Sequence, residues 1–154
     1  MECLILGDEI ADKIKQFRPE CVLKTKPNTS TERWINEYGV KFAAKTVIIS
    51  LGTYDSRSQI LDNEALAELR KLRAGIDAEQ VFWLLPARAK SADAMRELSK
   101  LYKDHLMIIE EKERNKIHPT ERGAQLLATQ SKIKGKMDWS KPTWPKQSPP
   151  LIRV

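Results

Sequence analysis

Five short apolar runs alternate with stretches of helical periodicity along the chain. The runs are Cys3–Leu6, Cys21–Leu23, Thr46–Leu51, Val81–Leu85 and Leu106–Ile109, the second being the weakest. Their continuous character suits parallel strands covered on both faces. Between them, Ile10, Ile14 and Phe17 recur at spacings of four and three. Leu61, Ala65, Leu69, Leu72 and Ile76 form the clearest stripe, and Met95, Leu98, Leu101 and Tyr102 form another. Thr31–Ala44 reads as a less regular helix. Pro119–Lys132 reads as the last one, with Pro119 in a first turn where its missing N–H costs nothing. Strand and helix in regular alternation predict a parallel sheet with right-handed crossovers and helices on both faces.

The pattern breaks near Gly135. The stretch GKMDWSKPTWPKQSPPLIRV holds four of the eight prolines and two of the four tryptophans, and proline prevents a regular helix. Residues 1–133 therefore read as one domain and 134–154 as an extended basic arm. Trp139 and Trp144 are costly to leave in water. The arm, with Trp139, Trp144, Pro149, Pro150, Leu151 and Ile152, is read as packing on the body or on another protein chain.

Composition narrows the class. The chain has 154 residues, 41% hydrophobic and 31% charged, which excludes bulk disorder. No run is long enough to cross a bilayer. The net charge is +6, but residues 133–154 carry five cations against one acid. The excess sits on the arm and not on a face of the body, which argues against a nucleic-acid partner. Glu2 and the lack of a basic stretch before the first apolar run argue against a secretory signal. Cys3 and Cys21 open adjacent predicted strands without metal-ligand spacing. They read as buried free thiols of a protein made in a reducing compartment.

Chemistry in such a sheet gathers in loops at the C-terminal strand ends. Three loops stand out: Gly7-Asp8-Glu9-Ile10-Ala11 after strand one, Gly52-Thr53-Tyr54-Asp55 after strand three, and Asn115-Lys116-Ile117-His118-Pro119 after strand five. A strand order of 2-1-3-4-5 makes the first two neighbours and lets His118 reach over them. Asp8, Glu9, Gly52, Tyr54, Asp55 and His118 are the predicted pocket.

At these residues the sequence resembles the SGNH/GDSL hydrolase superfamily. LILGDEIA is similar to the first block of that family, VIISLGTYD to the third and NKIHPTERG to the fifth. VFWLLPA resembles a fourth-strand segment of small phage-encoded members. The resemblance covers roughly residues 2–130. It implies a flavodoxin-like, three-layer α/β/α fold with a five-stranded parallel sheet. It also implies a mechanism in which a first-block serine attacks an ester, a fifth-block histidine takes its proton and a fifth-block aspartate orients that histidine. A second-block glycine and a third-block asparagine help hold the oxyanion.

Carried over position by position, the resemblance places Glu9 at the serine, Tyr54 at the asparagine and Asn115 at the aspartate. The expected glycine is absent from Lys24–Thr31, and only His118 is retained. A carboxylate cannot simply stand in for a hydroxyl in ester hydrolysis. The expectation is a protein without a catalytic set or cofactor, reused as an accessory structural component. By analogy with the phage members it belongs to a virion (capsid decoration, tail or fibre), is made in host cytoplasm and contacts other virion proteins through its arm. Two alternatives stay open. One is an esterase on carbohydrate or lipid esters with a relocated serine, Ser50, Ser56 or Ser58. The other is a metal-dependent enzyme that holds Mg²⁺ or Mn²⁺ on Asp8, Glu9, Asp55 and His118.

Overall fold

The computed structural model describes residues 1–55, 62–86 and 91–140, with residues 62–65 described by their backbone alone. In chain order the elements are β1 (Cys3–Gly7), α1 (Glu9–Lys15), β2 (Val22–Thr25), α2 (Thr31–Tyr38), β3 (Phe42–Ala43), β4 (Thr46–Ser50), α3 (Asp62–Ala74), β5 (Ile76–Asp77), β6 (Gln80–Leu84), α4 (Ala92–Tyr102), β7 (His105–Met107) and α5 (Glu121–Gln130). Five strands pair in parallel in the order β2-β1-β4-β6-β7. This is the 2-1-3-4-5 order of the expected α/β/α fold.

Strands β1, β4 and β6 are buried at every position, which is why they read as unbroken apolar runs. Their side chains alternate between two cores. One face, with Leu4, Leu6, Val47, Ile49 and Trp83, packs against Trp34, Leu69, Leu72, Met95 and Leu98. The other face, with Ile5, Ile48 and Phe82, packs against Ile10, Ile14 and Leu127. Strand β2 lies at an edge, and none of its residues is fully buried.

Several expectations are corrected. Helix α2 stops at Tyr38 and does not run to Ala44: Gly39, at φ +82, closes it. Phe42–Ala43 then pairs with Ile76–Asp77 in a second, two-stranded sheet, so Ile76 leaves the helical stripe. Helix α5 begins after Thr120, whose side chain accepts from Gly123 N–H, so Pro119 precedes the cap and is not inside the first turn. Leu101 faces solvent at 71% exposure and is not part of the α4 core stripe. Leu61 lies outside the described residues.

The cysteines are not free thiols. Cys3 and Cys21 form a disulfide that ties the start of β1 to the turn before β2, and both are buried. The bridge spans a sequence separation of 18 residues. Chain-entropy arguments give such a loop about 3 kcal/mol. The Cys3→Ser/Cys21→Ser protein is expected to unfold at a denaturant midpoint lower by about that free energy, and an unchanged midpoint would contradict this.

A buried polar cluster fixes α3, α4 and β6 against β7. Asp104 receives Arg73 Nε at 2.7 Å and Nη2 at 2.9 Å, and Trp83 Nε1 at 2.9 Å. The Arg73 guanidinium also lies 4.2 Å from the Tyr102 ring centroid.

The described start of the C-terminal arm packs on its own chain. Gly135 N–H donates to Gln80 Oε1 and Gly135 O accepts from His105 Nε2. Met137 N–H donates to Lys103 O, and Trp139 Nε1 donates to Asp104 O at 2.9 Å. Trp144, Pro149, Pro150, Leu151 and Ile152 lie outside the described residues.

Candidate functional site

The end of β1 carries the site because the backbone there is forced. Gly7 has φ +151, and a Cβ on it would stand 2.0 Å from Ser50 O on β4. Only glycine tolerates that approach. The next residue, Asp8, donates its N–H to the same Ser50 O. Its Oδ1 caps α1 by accepting from Ile10 N–H at 3.0 Å, and also accepts from Ser50 Oγ at 3.1 Å. Thr25 Oγ1 on β2 donates to Asp8 O. Asp8 thus joins β1, β2 and β4 and is fully buried. Its other oxygen, Oδ2, has no hydrogen-bond partner among the described residues.

Burial, with the Glu9 charge added, pushes the Asp8 carboxyl up to about 7. The sign of the consequence follows from linkage. Between about pH 4 and pH 7 the folded chain holds a proton at Asp8 that the unfolded chain has released. This group therefore removes stability as pH rises through that window, by up to about 1.4 kcal/mol per pH unit. Asp8→Asn keeps a capping oxygen and removes the titration. Its stability is expected to lack that downward slope in pH-dependent denaturation; a slope equal to wild type would refute the assignment.

Glu9, the first residue of α1, turns its carboxylate into the space between the loops. Oε1 accepts from the backbone N–H of Asn28 at 2.8 Å. Oε2 accepts from the Tyr54 hydroxyl and from His118 Nε2, the latter at 2.7 Å. Tyr54 O and His118 Nε2 are 3.5 Å apart. Three donors from three loops thus converge on one carboxylate. Partial burial raises the Glu9 carboxyl, but the hydrogen bonds from Tyr54, Asn28 and His118 outweigh it and hold the group below its ordinary value.

The proton on His118 follows from donor and acceptor accounting. Asn115 Oδ1 accepts from Ile117 N–H at 2.9 Å and from His118 N–H at 3.0 Å, which fixes the amide orientation. Asn115 Nδ2 therefore faces His118 Nδ1, 2.6 Å away, and donates to it. With Nδ1 an acceptor, the imidazole carries its proton on Nε2 and gives it to Glu9. In a serine triad the orienting carboxylate does the reverse: it takes Nδ1–H and leaves the Nε2 lone pair for the nucleophile. The loop holding His118 is closed by a bridge between Lys112 and Pro119 and by Glu113 N–H donating to His118 O at 2.8 Å.

Asp55 has a different role from Glu9. Its Oδ1 accepts from Thr31 N–H at 2.7 Å, and its Oδ2 accepts from Thr31 Oγ1 at 2.8 Å and Ser91 Oγ at 3.1 Å. It ties the loop after β4 to the starts of α2 and α4. Gly52, at φ +103, lets that loop pass close to Met95 and Ser91. Among the described residues, no three His, Cys, Asp or Glu side chains converge to hold a metal ion.

Asn28 was not singled out from the sequence. It sits at φ +53 in the turn Pro27-Asn28, in the stretch where the family resemblance implies a glycine. Asparagine is the residue that most readily replaces glycine in the left-handed region, and Pro-Asn is a turn signal. Those two facts together could have found it.

A member of the lipolytic protein G-D-S-L family from Veillonella parvula superposes with a TM-score of 0.58 at 13% identity, covering 83% of this chain and 94% of the other. The psychrotrophic esterase EstA from Pseudoalteromonas sp., in a structure inhibited by monoethylphosphonate, gives a TM-score of 0.50 at 16% identity, with 82% and 92% covered. The chain has an SGNH-hydrolase-like fold. At these identities the likeness shows the fold alone. No protein-family model matches the sequence, and no curated protein does. On the SGNH-like fold, the loops after β1, β2, β4 and β7 supply Glu9, Asn28, Tyr54 and His118 to one site.

Proposed function

We propose that this chain is an SGNH-like protein that has lost ester hydrolysis and works as an accessory assembly component. One observation carries the reading: the Glu9 carboxylate, at the position the family resemblance gives to the attacking serine, already takes the donors Asn28 N–H, Tyr54 O–H and His118 Nε2–H. An anion there repels the negative charge that ester attack develops, and a removed oxyanion donor alone typically costs ~10²–10³ in rate. His118, with its proton directed at Glu9, offers no lone pair to a hydroxyl. The purified chain is expected to hydrolyse p-nitrophenyl acetate no faster than its His118→Ala variant. A clear excess over that variant would overturn the proposal.

The assembly role is supported by the arm. What supports it is the apolar content of the arm's sequence, with Trp144, Leu151 and Ile152; the root of the arm itself packs on its own body through Gly135, Met137 and Trp139. A virion setting extends the same reading and is supported by the resemblance of VFWLLPA to phage-encoded members.

A second reading, an active esterase, is favoured by the activities printed for the two structural neighbours and by the retained His118. It needs a serine hydroxyl facing that histidine. Ser50 and Ser91 donate to Asp8 and Asp55 instead, and Ser56 and Ser58 lie outside the described residues.

A further inference from the structure

We propose that the loop carrying His118 is a clasp that acid opens: a second proton on the imidazole breaks the hold of Asn115 on the ring and releases residues 113–117. The proposal concerns regulation of the Glu9 site and rests on the tautomer given above, with the His118 proton on Nε2.

The clasp works with one charge state of the ring. Asn115 Oδ1 is used twice, accepting from Ile117 N–H and from His118 N–H. Asn115 Nδ2 is left to donate to His118 Nδ1 at 2.6 Å. A neutral imidazole meets it with the Nδ1 lone pair. An imidazolium cannot, because both of its nitrogens are then donors. Its Nδ1–H would face the N–H of the amide. Turning the amide over would repair that contact and set an NH₂ group against the two backbone N–H groups. Either arrangement costs the loop bonds that now shape it.

The loop, and not the ring, is the part able to give way. Lys116 lies between Asn115 and Ile117 at φ +59, a left-handed conformation that a non-glycine residue keeps only where its surroundings hold it. Residues 111–116 are exposed, so little buried surface opposes their release. Glu113 N–H donates to His118 O and Lys116 N–H to Glu113 O, and these backbone bonds close a turn whose side-chain support comes from Asn115.

The groups around the ring favour its staying in place when charged. On α1, Glu9 Oε2 stands 2.7 Å from Nε2. After β4, the Tyr54 hydroxyl stands 3.5 Å from the same nitrogen. Glu113, on the loop itself, is paired with Lys13 Nζ of α1 at 2.8 Å, and the charge of His118 acts on it too. Lys13 also donates to Pro119 O at 3.4 Å, and Glu121 of α5 lines the same hollow as Lys13 and Glu113. A second proton on His118 thus gains an ion pair with Glu9 while it loses Asn115. Asp8, next to Glu9, also changes charge near pH 7, so its contribution has to be separated from that of His118.

The test uses the full chain, ¹⁵N-labelled and titrated from about pH 8 to pH 5. Ring ¹⁵N shifts report the charge on His118. Water-exchange NMR gives the protection of the Ile117 and His118 amides, corrected for the intrinsic pH dependence of exchange. That protection is expected to fall about tenfold as the ring takes its second proton, the scale of one lost hydrogen bond. Asn115→Asp can hold both backbone N–H groups on one oxygen and accept Nδ1–H on the other, so its loop is expected to stay protected throughout. Asp8→Asn is expected to keep the wild-type response. Protection that stays constant through the His118 titration would overturn the proposal, as would a response unchanged in Asn115→Asp or abolished in Asp8→Asn. Constant protection with Nε2–H present at neutral pH sinks this proposal alone; a proton on Nδ1 at neutral pH sinks it together with the reading on which it rests.

Discussion

The Glu9→Ser/Asn115→Asp protein is expected to hydrolyse p-nitrophenyl acetate up to about 10⁴-fold faster than Glu9→Ser alone. Glu9→Ser installs a hydroxyl and releases the donors that now hold the carboxylate. It leaves His118 unable to accept a proton, because Asn115 Nδ2 still donates to Nδ1. An aspartate at 115 can keep both backbone contacts, from Ile117 N–H and His118 N–H, on one oxygen. Its other oxygen then takes Nδ1–H and turns the Nε2 lone pair toward position 9. Tyr54 still lacks the amide donor that the family uses, so the absolute rate stays below that of a complete site by about 10²–10³. Equal kcat/KM for the single and double variants would show that the tautomer is not the barrier.

Asp104→Ala is expected to cost about 3–5 kcal/mol, a large part of the roughly 5–15 kcal/mol that holds a domain folded. Asp104 and Arg73 are almost fully buried, and the carboxylate takes two guanidinium donors and the Trp83 indole. Truncation leaves the Arg73 charge in the interior with, among the described residues, Ile76 O at 3.3 Å and the Tyr102 ring beside it. Replacing both partners together, as Arg73→Met/Asp104→Leu, removes the charge with its partner and is expected to cost less than Asp104→Ala. Urea denaturation measures both. A loss under 1 kcal/mol in the single variant, or a double variant less stable than the single one, would contradict the account of this cluster.

What the sequence made legible follows from how each feature is built. Three strands of the main sheet stand out because β1, β4 and β6 are covered on both faces and so read as unbroken apolar runs, whereas edge strand β2 gives the weakest run. The pair β3 and β5 does not stand out, because two residues carry no period. Gly39 was present as a helix stop, but the partly apolar stretch beyond it concealed the boundary. The disulfide was not legible: the predicted strand order already sets Cys3 and Cys21 on adjacent strands, but adjacency does not distinguish a bonded pair from two buried thiols. At the site, strand-end position drew attention to Asp8, Glu9, Tyr54, Asp55 and His118. It did not separate their roles, since Asp55 ties loops together while Glu9 gathers donors. Asn28 escaped because it contributes a backbone N–H, and the signal for that is a backbone conformation and not a side chain. The direction of the Asn115 amide is likewise invisible until its oxygen is seen to hold two backbone donors.

The placement of a single proton tests the central claim most directly. The chain has only two histidines, His105 and His118, so long-range ¹H–¹⁵N correlation of the imidazoles, with His118→Ala for assignment, reads each ring separately. The prediction for His118 near neutral pH is a protonated Nε2 and an unprotonated Nδ1, with Nε2–H directed at Glu9. A proton on His118 Nδ1, with Nε2 free to act as a base, would contradict it.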